Sequence, residues 1–162
     1  MPTQNIVNHP TIGILRGIER FPRVHQFLGI QYATLQDRFS RGELLEEYPP
    51  SSEIKDATKF GPLPLSPTNG CQHEQAIIQR KLPFEPFHYS DTQCLTLNIS
   101  VPVSDAPRSL PVMVFIHGGA FATGSSSFPQ VDLAPITNMS IEIGKPMICV
   151  GIKYVAVPTW TG

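Results

Sequence analysis

The sequence predicts an α/β domain built on a mixed sheet, with a small antiparallel part at its N-terminal end and long loops. Three observations carry that prediction. Val112-Met-Val-Phe-Ile116 is apolar at every position, the pattern of a strand covered on both faces. Residues 136–143 then read as a short helix, ended by Gly144 and Pro146. Met147-Ile-Cys-Val-Gly-Ile-Lys-Tyr154 follows as a second apolar strand. Strand, crossover and strand make the opening of such a domain, so the fold predicted for these residues is incomplete.

Taken in order, residues 1–10 read as a disordered lead. Thr11-Ile-Gly-Ile-Leu-Arg-Gly17 and Val24-His-Gln-Phe-Leu-Gly-Ile-Gln-Tyr32 read as two strands around 19–23, forming an antiparallel edge. Residues 36–68 lack periodicity and hold Pro, Ser and charged side chains, which predicts a long surface excursion. A short helix is expected over 73–81. In Leu95-Thr-Leu-Asn-Ile-Ser-Val101 the alternation puts Leu95, Leu97, Ile99 and Val101 on one face, and 102–108 form a turn. Residues 121–135 are a Gly/Ser/Pro loop.

Composition narrows the function classes. A net charge of −1, with no basic run, gives nucleic acid or an anionic membrane no footing. The longest apolar run is far short of a membrane span. The 17 prolines, about twice ordinary usage, break up the first half of the chain. Met1-Pro-Thr-Gln-Asn-Ile lacks the charged start and apolar core of a signal peptide. Cys71 and Cys94 can close a loop or stay as buried thiols, and Cys149 sits in an apolar strand. His9, His25, His73 and His88 lack metal-ligand spacing, so no metal site is expected from them. Asn98-Ile-Ser100 and Asn138-Met-Ser140 match the glycosylation sequon, the first in mid-strand.

The chemistry lies in Leu110-Pro-Val-Met-Val-Phe-Ile-His-Gly-Gly-Ala-Phe121 and the following Gly124-Ser-Ser126. A buried strand that ends in two glycines delivers backbone N–H groups to the end of a sheet. When an ester carbonyl is attacked its oxygen gains negative charge, and losing one preorganised donor there costs ~3–4 kcal/mol. The N–H groups of Gly119 and Ala120 are the expected donors, with Gly118 as the turn residue. Phe121 is expected to pack beneath the loop or to line an acyl pocket. His117 is expected to hold the loop and not to act as a base. No Gly-x-Ser-x-Gly occurs in the 162 residues, and Ser125, Ser126 and Ser127 lack the second small residue of a nucleophile elbow.

These segments resemble the type-B carboxylesterase family, which includes fungal lipases and the cholinesterases. Phe27-Leu-Gly-Ile-Gln-Tyr-Ala33 resembles its Phe-x-Gly-Ile-Pro-Tyr-Ala segment, with Gln31 in place of proline. Ser90-Asp-Thr-Gln-Cys-Leu-Thr-Leu-Asn-Ile99 resembles its Ser-Glu-Asp-Cys-Leu-Thr-Leu-Asn block, and the stretch from Leu110 to Ser126 its His-Gly-Gly segment. The resemblance implies the N-terminal portion of an α/β-hydrolase fold over 11–154, with a divergent tail at 155–162. It implies a Cys71–Cys94 disulfide, a secreted location at odds with the missing signal peptide, and hydrolysis of small-molecule carboxylic esters through a serine acyl-enzyme, which needs no cofactor. Ile152-Lys-Tyr154 stands where Ile-Asn-Tyr-Arg is usual. In the family the nucleophile, acid and base come later in the chain, so this chain resembles a truncated N-terminal third that keeps the oxyanion loop and is inactive alone. The alternative is a non-catalytic, cholinesterase-like interaction module using the loops at 36–68 and 70–90.

Overall fold

Strand-forming runs near both ends of the chain meet in one sheet, and the order of the strands explains where the loop after Ile116 comes to lie. The computed structural model describes residues 5–48, 53–103 and 109–155. The divergent tail beyond Val155 and most of the turn expected at 102–108 lie outside the described residues.

The principal sheet runs β1-β2-β3-β7-β9-β8. Strands β1 (Asn5–His9), β2 (Gly13–Phe21) and β3 (Val24–Gln31) form an antiparallel meander. The lead is therefore not without order: Asn5–His9 pairs residue by residue with the start of β2. The turn between β2 and β3 is tight, with Arg23 in the left-handed region at φ 74°. Within 36–68 the chain is irregular as expected, except that β5 (Glu43–Leu44) pairs antiparallel with β4 (Ala33–Thr34) just before that stretch. It then adds β6 (Lys55–Asp56) alongside β2. Helix α1 spans Gly70–Ile77, three residues earlier than the sequence suggested.

Strand β7 (Thr96–Pro102) pairs antiparallel with β3 and with β9 (Ile148–Ile152), and β8 (Val112–Ile116) runs parallel to β9. Helix α2 (Ala134–Glu142) is the crossover between β8 and β9, which makes the central part mixed, as predicted. Asp132 starts that helix by accepting the Ala134 N–H at 3.0 Å.

Burial on β7 departs from the hydropathy pattern. Leu97, Ile99 and Val101 do share a face, but it is the half-buried one, whereas Thr96, Asn98 and Ser100 are fully covered. The covered face lies under α2 and the loop before it: a Cβ at Gly151 would meet Ser126 and Leu133 at 3.1 and 3.4 Å. Of the buried polar groups there, Asn98 and Ser100 find partners, whereas the Thr96 hydroxyl has none among the described residues. Gln26 donates to Ser100 Oγ and to Asp132, and Asp132 also accepts from Arg20.

The strand expected to be covered on both faces is not. β8 lies at the end of the sheet with β9 as its one neighbour, and Val112, Val114 and Ile116 are 56, 51 and 67% exposed. A continuous apolar sequence reports what a strand is suited to pack against, and among the described residues nothing packs there.

Candidate functional site

Strand β8 ends at Ile116, and the chain turns at once. His117 is buried beneath the turn and held from three sides. Its Nδ1 donates to the Gly118 carbonyl at 2.9 Å, and its ring stacks on Tyr154 at 4.3 Å between centroids. The Tyr154 hydroxyl donates to the His117 carbonyl at 2.7 Å. Burial, the largest influence, lowers the His117 pKa; the bond to Gly118 opposes it and the nearby Lys153 charge adds to it. The ring is thus a neutral pillar that joins the ends of two adjacent parallel strands. With Nε2 buried and no hydrogen-bond partner for it among the described residues, His117 cannot reach a proton on an exposed substrate.

The turn itself is built by Gly119, not Gly118. Gly119 has φ +127°, and a Cβ on it would lie 1.9 Å from the Thr123 carbonyl oxygen, whereas a Cβ on Gly118 would meet nothing within 4 Å. The Gly119 carbonyl accepts from Ala122 and Thr123 at 2.9 and 3.0 Å, which winds 119–123 into a tight coil. Ala120 and Phe121 then take φ values of 51° and 59°. Left-handed backbone at a residue with a Cβ costs roughly 1–2 kcal/mol each, so the coil stores strain that the surrounding structure maintains. Gly124 closes it at φ +100°, where a Cβ would sit 2.0 Å from the Gly118 carbonyl oxygen.

This coil leaves consecutive backbone donors unused. Among the described residues no acceptor takes the N–H of Gly119 or of Ala120, and Ala120 is exposed. Phe121 is 74% exposed, so it does not pack beneath the loop.

The serines that follow face inward. Ser125, Ser126 and Ser127 are buried, with Ser125 Oγ accepting the Ser127 N–H at 3.0 Å. Asn98 donates to the Ser126 carbonyl and hydroxyl at 3.1 and 3.3 Å, and its own carbonyl accepts the Gly29 N–H at 3.0 Å. These contacts make the serine run an anchor that ties the coil to β7 and β3. They also enclose the side-chain amide of the first sequon.

The cysteine pairing is a correction. Cys71 and Cys94 are free thiols in separate clusters, Cys71 with Leu63 and Phe128, Cys94 with Ala33, Leu35 and Leu95. Gln75 and Gln130 bond the Cys71 sulfur, and burial pushes both thiols up in pKa. Among the described residues no group of three His, Cys, Asp or Glu side chains could hold a metal ion. No described helix is long and apolar enough to cross a membrane.

The turn falls where the sequence put it, directly after Ile116, but its supports were not read from the sequence. Tyr154 as the stacking partner of His117, and Gly124 as the second obligatory glycine, have no local signature beyond residue type. Their roles arise only where β8 and β9 end side by side.

Residues 3–154 match the model of the carboxylesterase family. The chain is 31% identical to "Lipase 4" of Diutina rugosa over 169 aligned positions, covering 98% of this chain and 29% of that protein. To the "Cholinesterase" of Mus musculus it is 34% identical, covering 67% of this chain and 17% of that protein. Among solved structures, a thermophilic pNB esterase superposes with a TM-score of 0.69 at 27% identity, over 94% of this chain and 28% of that one. The chain thus spans under a third of the length of the relatives it matches.

Proposed function

The chain belongs to the carboxylesterase family, and from that premise we propose that it carries the oxyanion-stabilising loop of a serine carboxylic-ester hydrolase. The donors are the N–H groups of Gly119 and Ala120. The observation that carries the reading is the pair of unused, adjacent amides on a strained coil. Strain at a surface loop needs a reason, and holding two donors in place for a developing negative charge is one. Two fixed donors favour the tetrahedral oxyanion over the planar carbonyl, which is the differential binding that lowers a barrier.

The nucleophile is not among the residues at hand. Ser125, Ser126 and Ser127 are buried and His117 is a pinned, neutral ring, so neither can begin acyl transfer. Ester hydrolysis is accordingly the activity of a polypeptide that brings a serine, a base and an acid to this loop. The substrate class is a small carboxylic ester, and no metal or organic cofactor takes part in the acyl-enzyme route.

Two measurements on the purified 162-residue chain test this. With a nitrophenyl ester and a serine-reactive fluorophosphonate, neither burst nor label is expected; stoichiometric labelling at 125–127 would overturn the non-nucleophilic role given to those serines. In an amide NMR titration with a phosphonate monoanion, the Gly119 and Ala120 N–H signals should move downfield together. If they stay fixed while other amides respond, the loop is not an oxyanion site.

A further inference from the structure

Among the described residues Lys153 is the largest fully buried side chain, at 0% exposure. Its Nζ donates to the carbonyls of Gly61 and Pro62 at 2.7 and 3.1 Å, and among the described residues it has no carboxylate partner. Both acceptors are neutral, so nothing there balances an ammonium charge. The backbone around it is fixed: the Lys153 N–H donates to Thr96 at 2.9 Å, and its carbonyl accepts from the Tyr32 hydroxyl at 3.0 Å.

We propose that Lys153 is a pH-operated clasp that fastens the Gly61–Pro62 segment to the end of β9, closed while the amine is uncharged and loosened when it takes up a proton. Beyond the two carbonyl dipoles, the groups around it give the charged form little support to offset its burial. Cys94 presents a thiol whose own pKa burial raises, with Asp91 near it; Tyr32 presents a phenol raised by burial; His117 is neutral; Tyr154 is engaged with His117. Burial accordingly lowers Lys153 from its ordinary 10.5 to about 7, and the Cys94 thiolate, where present, opposes this.

The sign follows from linkage. In the opened form the amine meets water and regains its ordinary affinity for a proton, so between pH 10.5 and about 7 the open form binds more protons than the closed one. Falling pH therefore favours opening, by about ninefold between pH 9 and pH 8, and the effect levels off below about pH 7. Deprotonation of Cys94 and Tyr32 pushes the other way at the alkaline end, so the comparison is made against a variant that keeps both.

The clasp does not depend on the ester-hydrolysis reading. Carbon-detected NMR of the 162-residue chain, following the Lys153 Cε resonance from pH 6 to pH 10, should give a midpoint near 7. A midpoint above 9 would overturn the proposal, because the amine would then be solvated or paired. Amide exchange of Gly61 and of β9 supplies the second reading. Corrected for intrinsic rates, protection should fall several-fold from pH 9 to pH 8 in the natural chain and stay level in Lys153→Met. An equal fall in both would show that Lys153 is a passive filler. Should Lys153→Met not fold, Lys153→Gln, which keeps a donor without the titration, takes its place.

Discussion

Strands β7 and β8 lie on either side of β9 and invert the usual relation between polarity and burial. β7 buries Thr96, Asn98 and Ser100, whereas β8 leaves Val112, Val114 and Ile116 in the open. The difference comes from position in the sheet. β7 is central, roofed by α2 and by the serine run; Asn98 is satisfied by Gly29 and Ser126 and Ser100 by Gln26, while the Thr96 hydroxyl is buried with no partner among the described residues. β8 is at the end of the sheet, where hydrophobicity alone cannot cover it. Stability is therefore expected to reside in the polar seam and hardly at all in the exposed apolar row.

The largest effect that would break this contrast is at Asn98. Asn98→Ala strands the Gly29 N–H and the Ser126 carbonyl at once, and should cost about 3 kcal/mol in urea unfolding. A cost under 0.5 kcal/mol would show that the seam is not what holds the coil to the sheet. Next comes Gly119→Ala, on the order of 2 kcal/mol, because its Cβ would lie 1.9 Å from the Thr123 carbonyl oxygen. Gly118→Ala, with open space around its Cβ, is the control and should be close to silent.

A smaller effect concerns the His117 pillar, whose pKa is held below 6.5. The unfolded chain takes up a proton near 6.5 while the folded ring resists, so stability is complete above that value. It declines as pH falls through the depressed folded value. Proton NMR of the imidazole should show a midpoint below 6.5, and His117→Phe should flatten this part of the stability profile. The smallest effect belongs to β8. Val114→Lys, at a side chain 51% exposed, should change unfolding free energy by less than about 0.5 kcal/mol. Light scattering should show reduced self-association, since a charge on a sheet edge opposes strand-to-strand pairing.

Much of this architecture was legible in local pattern. The two early strands, the alternation in β7, the apolar runs of β8 and β9 and the helix between them all occur close to where periodicity put them. The His-Gly-Gly-Ala turn announced itself because glycine is the residue that such backbone requires. What stayed hidden was pairwise. The order of Asn5–His9 depends on Gly13–Phe21 being there to receive it. The thiols of Cys71 and Cys94 suggested a cross-link by number and family resemblance, yet they lie in different clusters.

The sequence by itself determined which segments extend, which coil, and where a glycine, Gly119, permits a sharp turn after a strand; these follow from φ, ψ and the spacing of side chains along one segment. Tertiary structure alone decided which strand became an end of the sheet, which polar row was roofed, that Tyr154 would support His117, and that Lys153 would be sealed against two carbonyls. Those outcomes depend on residues far apart in the chain. Burial is a property of what lies opposite a side chain in space, and no local pattern records it.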